Sequence, residues 1–116
     1  MLHKADTIRL RHMADAARQA LDFAAGRSRR DLDSDQMLTF ALVRAIEIIG
    51  EAASQVTEDG RAAAPEIPWA SIAGMRNRIV HAYFDIDLDR VWDTIADDLP
   101  PLLAQLGQIL TSYRNE

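Results

Sequence analysis

The chain has 116 residues, 48% of them hydrophobic and 27% charged, and this composition is typical of one globular domain spanning residues 1–116. It has no cysteine, which excludes disulfides, thiolate metal sites and cysteine nucleophiles and fits a reducing cytoplasm, and no apolar run approaches the roughly 20 residues of a membrane span. The net charge of −5 argues against broad nucleic-acid binding, so any contact with nucleic acid must be local, and it would also suit a basic protein partner.

The N-terminal part of the chain predicts one long helix and a basic loop. Residues 1–11 contain no continuous hydrophobic block, so no signal peptide is expected. Apolar residues then recur at helical spacing over residues 4–25, and Gly26 stands where a C-terminal cap belongs. The following loop carries Arg27, Arg29 and Arg30, which could guide RNA, bind an acidic partner surface or do nothing.

A second long helix is predicted to begin near Asp33 or Ser34. Asp33 and Gln36 resemble a capping box, in which the carboxylate accepts an early backbone N–H. The apolar stripe of this helix continues to Val56. Gly50 lies inside it, where glycine costs about 1 kcal/mol relative to alanine. We therefore expect another helix to approach closely at Gly50.

The second half of the chain predicts a loop and two further helices. Residues 57–67 form the loop, and Pro68 opens a third helix over residues 68–83. A turn leads to Asp87, the expected N-cap of the last helix. Pro100-Pro101 interrupts the apolar pattern of that helix and should kink or split it, because each proline removes an N–H. Together the elements predict an all-α, antiparallel four-helix bundle with a short or kinked extra helix.

Residues 76–83 contain four polar side chains of types that often take part in catalysis or binding: Arg76, Asn77, His81 and Tyr83. On a continuous helix all four would share about half of the circumference, while Ile72, Met75, Ile79 and Ala82 would face the core. His81 has no second ligand at helical spacing, and no activated serine or cysteine is in view, so neither a metal site nor a nucleophilic triad is predicted.

The combination of a histidine and an arginine suits cleavage of an RNA phosphodiester without metal. Such cleavage needs a base, an acid and positive charge on the developing phosphorane. One copy of the chain supplies one suitable histidine, so a two-fold dimer would bring two His81 and two Arg76 to a shared cleft. Alternatives stay open at this point: His81 could cap a helix or be half-buried, Tyr83 could be an edge residue of the core, and Arg76 could hold Asp85 or Asp87.

The same residues resemble the signature of the HepT-like HEPN-domain toxins, Arg-x4-His followed by x-Tyr. Arg76, His81 and Tyr83 match it, and Asn77 matches the usual Arg-Asn start. The resemblance extends to residues 44–52, 69–75, 84–87 and 91–92, and so covers most of residues 35–106.

The resemblance implies a HEPN-like helical domain that acts as a homodimeric, metal-independent endoribonuclease toxin needing no cofactor. Arg76 and His81 would be catalytic and Asn77 supporting. The implied partner is a minimal nucleotidyltransferase antitoxin, thought in such pairs to transfer AMP from ATP onto the motif tyrosine, here Tyr83. Added phosphate there would lie against Arg76 and block the site.

Two other functions remain as hypotheses. The chain could be a non-catalytic helical module that binds nucleotide or a nucleotidyltransferase partner. It could also be a structural bundle in which the polar side chains of residues 76–83 only form a stripe on the surface. Arg44 and Glu51 are secondary candidates that could border the cleft, although a solvated salt-bridging face is the more ordinary interpretation of their spacing.

Overall fold

The computed structural model describes residues 2–82 and 85–114 and shows an all-α fold with one small hairpin. Two long helices come first, α1 (Lys4–Ala24) and α3 (Gln36–Gln55), separated by the single turn α2 (Asp31–Ser34). Short helices follow: α4 (Glu58–Ala62), α5 (Trp69–Ala73) and α6 (Met75–Ile79). Strands β1 (Val80–Ala82) and β2 (Asp85–Ile86) pair antiparallel, and the chain ends in α7 (Leu88–Asp93), a π-helical turn (Thr94–Asp98) and α8 (Leu99–Arg114).

The core forms where α1 packs against both α3 and α8. Most side chains of the predicted apolar stripes are buried, but Ile8, which belongs to the apolar pattern of residues 4–25, is 41% exposed, so its predicted burial was wrong. The largest side chains with almost no exposure include Leu10, Met13, Leu42, Ile46, Ile49, Met75, Ile79, Ile95, Leu99, Leu102 and Leu106. Helices α5 and α6 lie against α3. The all-α fold class is confirmed, with α5 and α6 in place of a continuous third helix. Within the described ranges, no helix is long and apolar enough to cross a membrane.

Helix termini agree with the predicted caps at two points and differ at a third. Gly26 follows α1 with a φ of 74°, a conformation that glycine adopts without steric cost. The Asp87 side chain accepts the Arg90 N–H at 3.1 Å and so caps α7 as predicted. The prediction of Asp33 as the cap of the second helix was wrong, because Asp35 accepts the Leu38 N–H at 3.0 Å.

Asp35 is suited to this position by a second contact. Its carboxylate also accepts a hydrogen bond from the Arg27 guanidinium at 2.7 Å. That bond, with the one from the Leu38 N–H, holds the pKa of Asp35 below its ordinary value. The Arg29 guanidinium donates instead to Asp33. The basic loop is therefore tied to the start of α3 by ion pairs.

Residues 57–67, predicted as a loop, contain the short helix α4. The Thr57 hydroxyl caps it by accepting the Gly60 N–H at 3.1 Å, and it donates at 2.5 Å to the buried carboxylate of Asp6 on α1. Burial alone would raise the pKa of Asp6, but the hydrogen bonds from Thr57, helped by His3, hold it below the ordinary value. A buried, ionised carboxylate thus joins α1 to the cap of α4.

The prediction of a single helix over residues 68–83 was wrong. Gly74 separates α5 from α6, and α6 ends at Ile79. Val80 is β-branched and continues into β1, whose pairing with β2 replaces further helical hydrogen bonds. The Asp87 N–H then donates to the Ile79 carbonyl at 2.7 Å, which fixes the base of the hairpin.

Pro100 and Pro101 do not split the last helix. The π-helical turn over residues 94–98 ends two residues before Pro100, and α8 continues through both prolines. Proline in a helix lacks an N–H and crowds the carbonyl of the preceding turn. A wider π turn relieves that crowding, so the predicted distortion is present as a local change of helix type.

Two glycines within helices differ in the space around them. A Cβ atom on Gly50 would lie 3.6 Å from the carbonyl oxygens of Ile72 and Ala73, which is ordinary contact. This confirms the expected close approach, made by α5. A Cβ atom on Gly60 would lie 2.6 Å from an Asp6 carboxylate oxygen and 2.7 Å from a Val56 methyl carbon. The same substitution should therefore have opposite effects at the two positions.

We expect Gly60→Ala to lower the free energy of unfolding by about 1–3 kcal/mol, because the new methyl group must displace a carboxylate that Thr57 holds. Gly50→Ala should leave it unchanged or raise it by up to about 1 kcal/mol, because alanine is the better helix former. Urea denaturation of both variants measures the difference. A larger loss in Gly50→Ala than in Gly60→Ala would contradict the packing described.

Candidate active site

Arg76 projects from α6 toward the surface beside α3. Its side chain is 49% exposed, and its Nε atom lies 3.9 Å from a carboxylate oxygen of Glu47. In the part of the chain that the structure describes, Glu47 is its ion partner, so the alternative that Arg76 holds Asp85 or Asp87 was wrong. An exposed pair at this distance is weak. Glu47 therefore orients the guanidinium only loosely, and the guanidinium remains open to an anion.

Glu47 also connects Arg76 to Arg44. The second Glu47 oxygen lies 3.5 Å from Arg44 Nη1, and the same nitrogen lies 3.8 Å from a Glu51 oxygen. The four side chains alternate in charge in the order Arg76, Glu47, Arg44, Glu51. These contacts agree with the interpretation of Arg44 and Glu51 as a salt-bridging face, and they also bring both residues to the border of the candidate site.

Sequence reasoning missed Glu47. Its signal was spacing: it lies three residues after Arg44 and four before Glu51, so all three share one face of α3. Of the three, Glu47 has the least exposed side chain, at 25%, because α6 lies beside it.

The two arginines of α6 have different environments. Arg78 donates from Nη1 to the Ser71 hydroxyl at 3.1 Å and from Nη2 to the Ser71 carbonyl at 3.0 Å. These bonds tie α6 back to α5. Arg76 makes no hydrogen bond to any described side chain or carbonyl, only the long ion pair. Arg78 is thus occupied by a structural contact, whereas Arg76 is available to a ligand.

The prediction that Asn77 and His81 lie on one face of a continuous helix was wrong. Asn77 is exposed on α6, while His81 is exposed on β1, beyond the end of that helix. The position of His81 relative to Arg76 is set by the turn from α6 into the hairpin. His81 is neither half-buried nor the cap of a described helix, so that alternative was wrong. Tyr83 lies outside the described residues.

The loop arginines are largely compensated by carboxylates. Arg27 pairs with Asp35 at 2.7 Å and with Asp31 at 3.4 Å, and Arg29 donates to Asp89 at 2.6 Å. Arg30 is exposed. Over residues 2–82 and 85–114, no group of three or more histidine, aspartate or glutamate side chains is arranged to hold a metal ion.

Comparison with known proteins identifies the family. The family described as "Ribonuclease HepT-like" matches residues 13–109, which include Arg44, Glu47, Arg76 and His81. The chain belongs to the HepT-like ribonuclease family. The predicted resemblance is therefore confirmed, and with it membership of a family of ribonucleases.

Relatives of this HepT-like chain are found in several organisms. It is 38% identical over 86% of its length to the "Probable ribonuclease HepT" of Thermococcus cleftensis, of which it covers 91%. It is 36% identical over 87% of its length to a "Putative RNase" of Caldanaerobacter subterraneus, of which it covers 90%. A "Putative RNase" of Methanocaldococcus jannaschii is 32% identical over 76% of the chain and is covered to 81%. No solved structure gives a significant match.

Proposed function

We propose that this protein is the toxin of a toxin–antitoxin pair and acts as a metal-independent endoribonuclease, with Arg76 and His81 as catalytic residues. The observation that carries the proposal is the exposed pair itself. Arg76 is left open beside Glu47, and His81, five residues later, is exposed on β1, within a chain of the HepT-like ribonuclease family.

The proposed reaction uses the 2′-hydroxyl of the RNA as the nucleophile. His81 accepts the 2′-hydroxyl proton, the 2′ oxygen bonds to phosphorus, and Arg76 stabilises the negative charge on the phosphorane. The bond from phosphorus to the 5′ oxygen then breaks, and that oxygen takes a proton from a second His81, supplied by the partner subunit. The products are a 2′,3′-cyclic phosphate and a 5′-hydroxyl. Asn77, exposed beside Arg76, supports the site as a hydrogen-bond donor.

The purified protein should cleave RNA in the presence of EDTA, and both His81→Ala and Arg76→Ala should reduce the rate by at least about 100-fold. Matched controls are His3→Ala and Arg11→Ala, which remove an exposed histidine near Asp59 and an exposed arginine of α1 and should keep the activity. Cleavage is measured on labelled RNA after melting curves show that each variant is folded.

Full activity in His81→Ala or Arg76→Ala would contradict the assigned roles. Absence of cleavage of any RNA by the unmodified protein, together with tight binding to a nucleotidyltransferase, would favour the non-catalytic binding module instead.

A homodimer is the second part of the proposal, and an apolar patch on α3 supports it. Met37 and Phe40 are 83% and 58% exposed, although both are large and hydrophobic. At spacings of three and four residues they continue the face of α3 that carries Arg44 and Glu47. A two-fold partner that covers Met37 and Phe40 would lie beside the charged row, where a second Arg76 and a second His81 could complete the site.

Phe40→Glu should convert the dimer to a monomer and abolish RNA cleavage, because it puts a charge into the apolar contact. Phe23→Glu, at an exposed phenylalanine of α1, is the matched control and should keep both properties. Light scattering after size exclusion gives the mass of each species. A monomeric unmodified protein that cleaves RNA would contradict the composite site.

Regulation by an antitoxin is the third part. We infer that a minimal nucleotidyltransferase partner transfers AMP from ATP onto the hydroxyl of Tyr83, releasing pyrophosphate. Support comes from the Arg-x4-His-x-Tyr signature and from the order of the chain, in which Tyr83 follows β1 two residues after His81. Nucleotide attached there would add negative phosphate close in sequence to the cationic site. A stripe on one helix shared with Arg76 does not support it, since α6 ends at Ile79.

Co-expression with the nucleotidyltransferase should add AMP units to the intact mass, and these should vanish in Tyr83→Phe. Tyr113→Phe, at the second tyrosine of the chain, should keep them. An unmodified mass in the neutralised complex would indicate that the partner masks the site without modifying it.

A further inference from the structure

A polar groove between α1 and α3 lies next to the candidate active site. Its volume is about 470 Å³, within the range of small-molecule sites. The polar side chains that line it come from both helices: Arg9, His12, Arg44, Glu51, Ser54 and Gln55. Ile48 and Ala52 also line it and add apolar surface. We call this feature the α1–α3 groove.

The charge of the groove contrasts with that of the protein. With histidine counted as neutral the whole chain carries −5, but the groove contains two arginines against one carboxylate, Glu51, and also the imidazole of His12. Glu51 is paired with Arg44. Neither Arg9 nor His12 makes a hydrogen bond or an ion pair with any side chain or carbonyl of residues 2–82 and 85–114. Arg9 is partly buried, and its guanidinium has no carboxylate partner there, so a bound anion could pair with it.

The groove is continuous with the candidate site through ion pairs. Arg44 lines the groove and lies 3.5 Å from Glu47, which lies 3.9 Å from Arg76. From Arg44 to Gln55 the groove follows α3 for eleven residues, or roughly 16 Å at the rise of an α-helix. At about 3.4 Å of rise per nucleotide of one strand, that length spans several nucleotides.

The side chains also fit a single strand of nucleic acid. An arginine fork matches a phosphate, and an exposed imidazole beside an apolar surface offers a platform on which an unstacked base can rest. Ser54 and Gln55 add groups that can donate to phosphate or to the 2′-hydroxyl.

Resting on the proposed ribonuclease function, we infer that the α1–α3 groove is the binding track for the RNA strand flanking the scissile phosphate. Arg9 binds a backbone phosphate there, and His12 stacks on a base. Arg9 and His12 precede residue 13, where the family match begins, so the track adds contacts outside the matched region. Binding energy from this track positions the strand so that the reacting phosphate lies at Arg76.

The test separates binding from cleavage by using His81→Ala as the background. The affinity of this variant for a fluorescein-labelled single-stranded RNA of twelve nucleotides is measured as a function of salt. Adding Arg9→Gln should weaken binding about tenfold and reduce the slope of log affinity against log salt by about 0.7, the value for one lost phosphate contact on a single strand. Adding His12→Ala should weaken binding with little change in that slope, because stacking is not ionic.

Arg11→Gln is the matched control. Arg11 is exposed on α1, does not line the groove and changes the net charge equally. It should leave affinity and slope unchanged. Arg9→Lys should recover part of the lost affinity, which a defect in folding would not allow. In the His81-intact protein, Arg9→Gln should raise KM by a larger factor than it lowers kcat.

Equal RNA affinities for Arg9→Gln and Arg11→Gln would overturn the track. So would a loss of nucleotidyltransferase binding in Arg9→Gln while RNA affinity is kept, because the groove would then be a protein-binding surface. If the unmodified protein cleaves RNA and needs His81, the proposed function stands whatever the result at Arg9. If no RNA is cleaved, the proposed function fails. RNA binding that is still weakened by Arg9→Gln would then show that the groove binds RNA in a protein that does not cleave it.

Discussion

Close contact between Gly50 and the backbone of α5 is the constraint from which the site follows. Because Gly50 has no side chain, the carbonyls of Ile72 and Ala73 lie directly on α3. Glu47 precedes Gly50 by three residues, and Arg76 follows Ala73 by three residues, so the backbone contact brings their charged groups within reach. A bulky residue at position 50 would separate α5 and α6 from α3 and remove the carboxylate that orients Arg76. Alanine would fit at this position in ordinary contact, so the packing requires a small residue there and not glycine in particular.

The distribution of charge explains how an acidic protein can act on RNA. Arg18, Arg27 and Arg29 are each paired with aspartates, and Arg78 is bound to Ser71. Arg27, Arg29 and Arg78 hold loops and short helices together, whereas Arg18 pairs within α1. All four offer little attraction to a distant polyanion. The cations of the α1–α3 groove and Arg76 lie along one side of α3, bordered by Glu47 and Glu51. Such an arrangement favours binding of RNA at one local site over non-specific binding across the protein surface. Local binding is compatible with the net negative charge of the chain.

Most of the helical core could be predicted because burial repeats every 3.6 residues along α1, α3 and α8. The cap of α3 could not, since Asp33, Ser34 and Asp35 are consecutive residues that all suit an N-cap. Asp35 is the cap because Arg27, eight residues away, also binds its carboxylate, whereas the carboxylate of Asp33 accepts a hydrogen bond from Arg29. The end of α6 was missed for a related reason. Ile72, Met75 and Ile79 keep helical spacing, but the pairing of Val80 with Ile86 is a contact that local patterns do not contain.

The residue types of the candidate site were readable from the sequence, whereas their arrangement was not. Nothing in the sequence distinguishes Arg76 from Arg78. They differ in their contacts, because Arg78 donates hydrogen bonds to Ser71 and Arg76 does not. His81 is held by the hairpin, whose base is fixed by the hydrogen bond from the Asp87 N–H to the Ile79 carbonyl, while the Asp87 side chain caps α7. The distance from Arg76 to His81 therefore depends on the first turn of α7 and not on helical geometry. A change at the hairpin could therefore alter the position of His81 while Arg76, on α6, keeps its place beside α3.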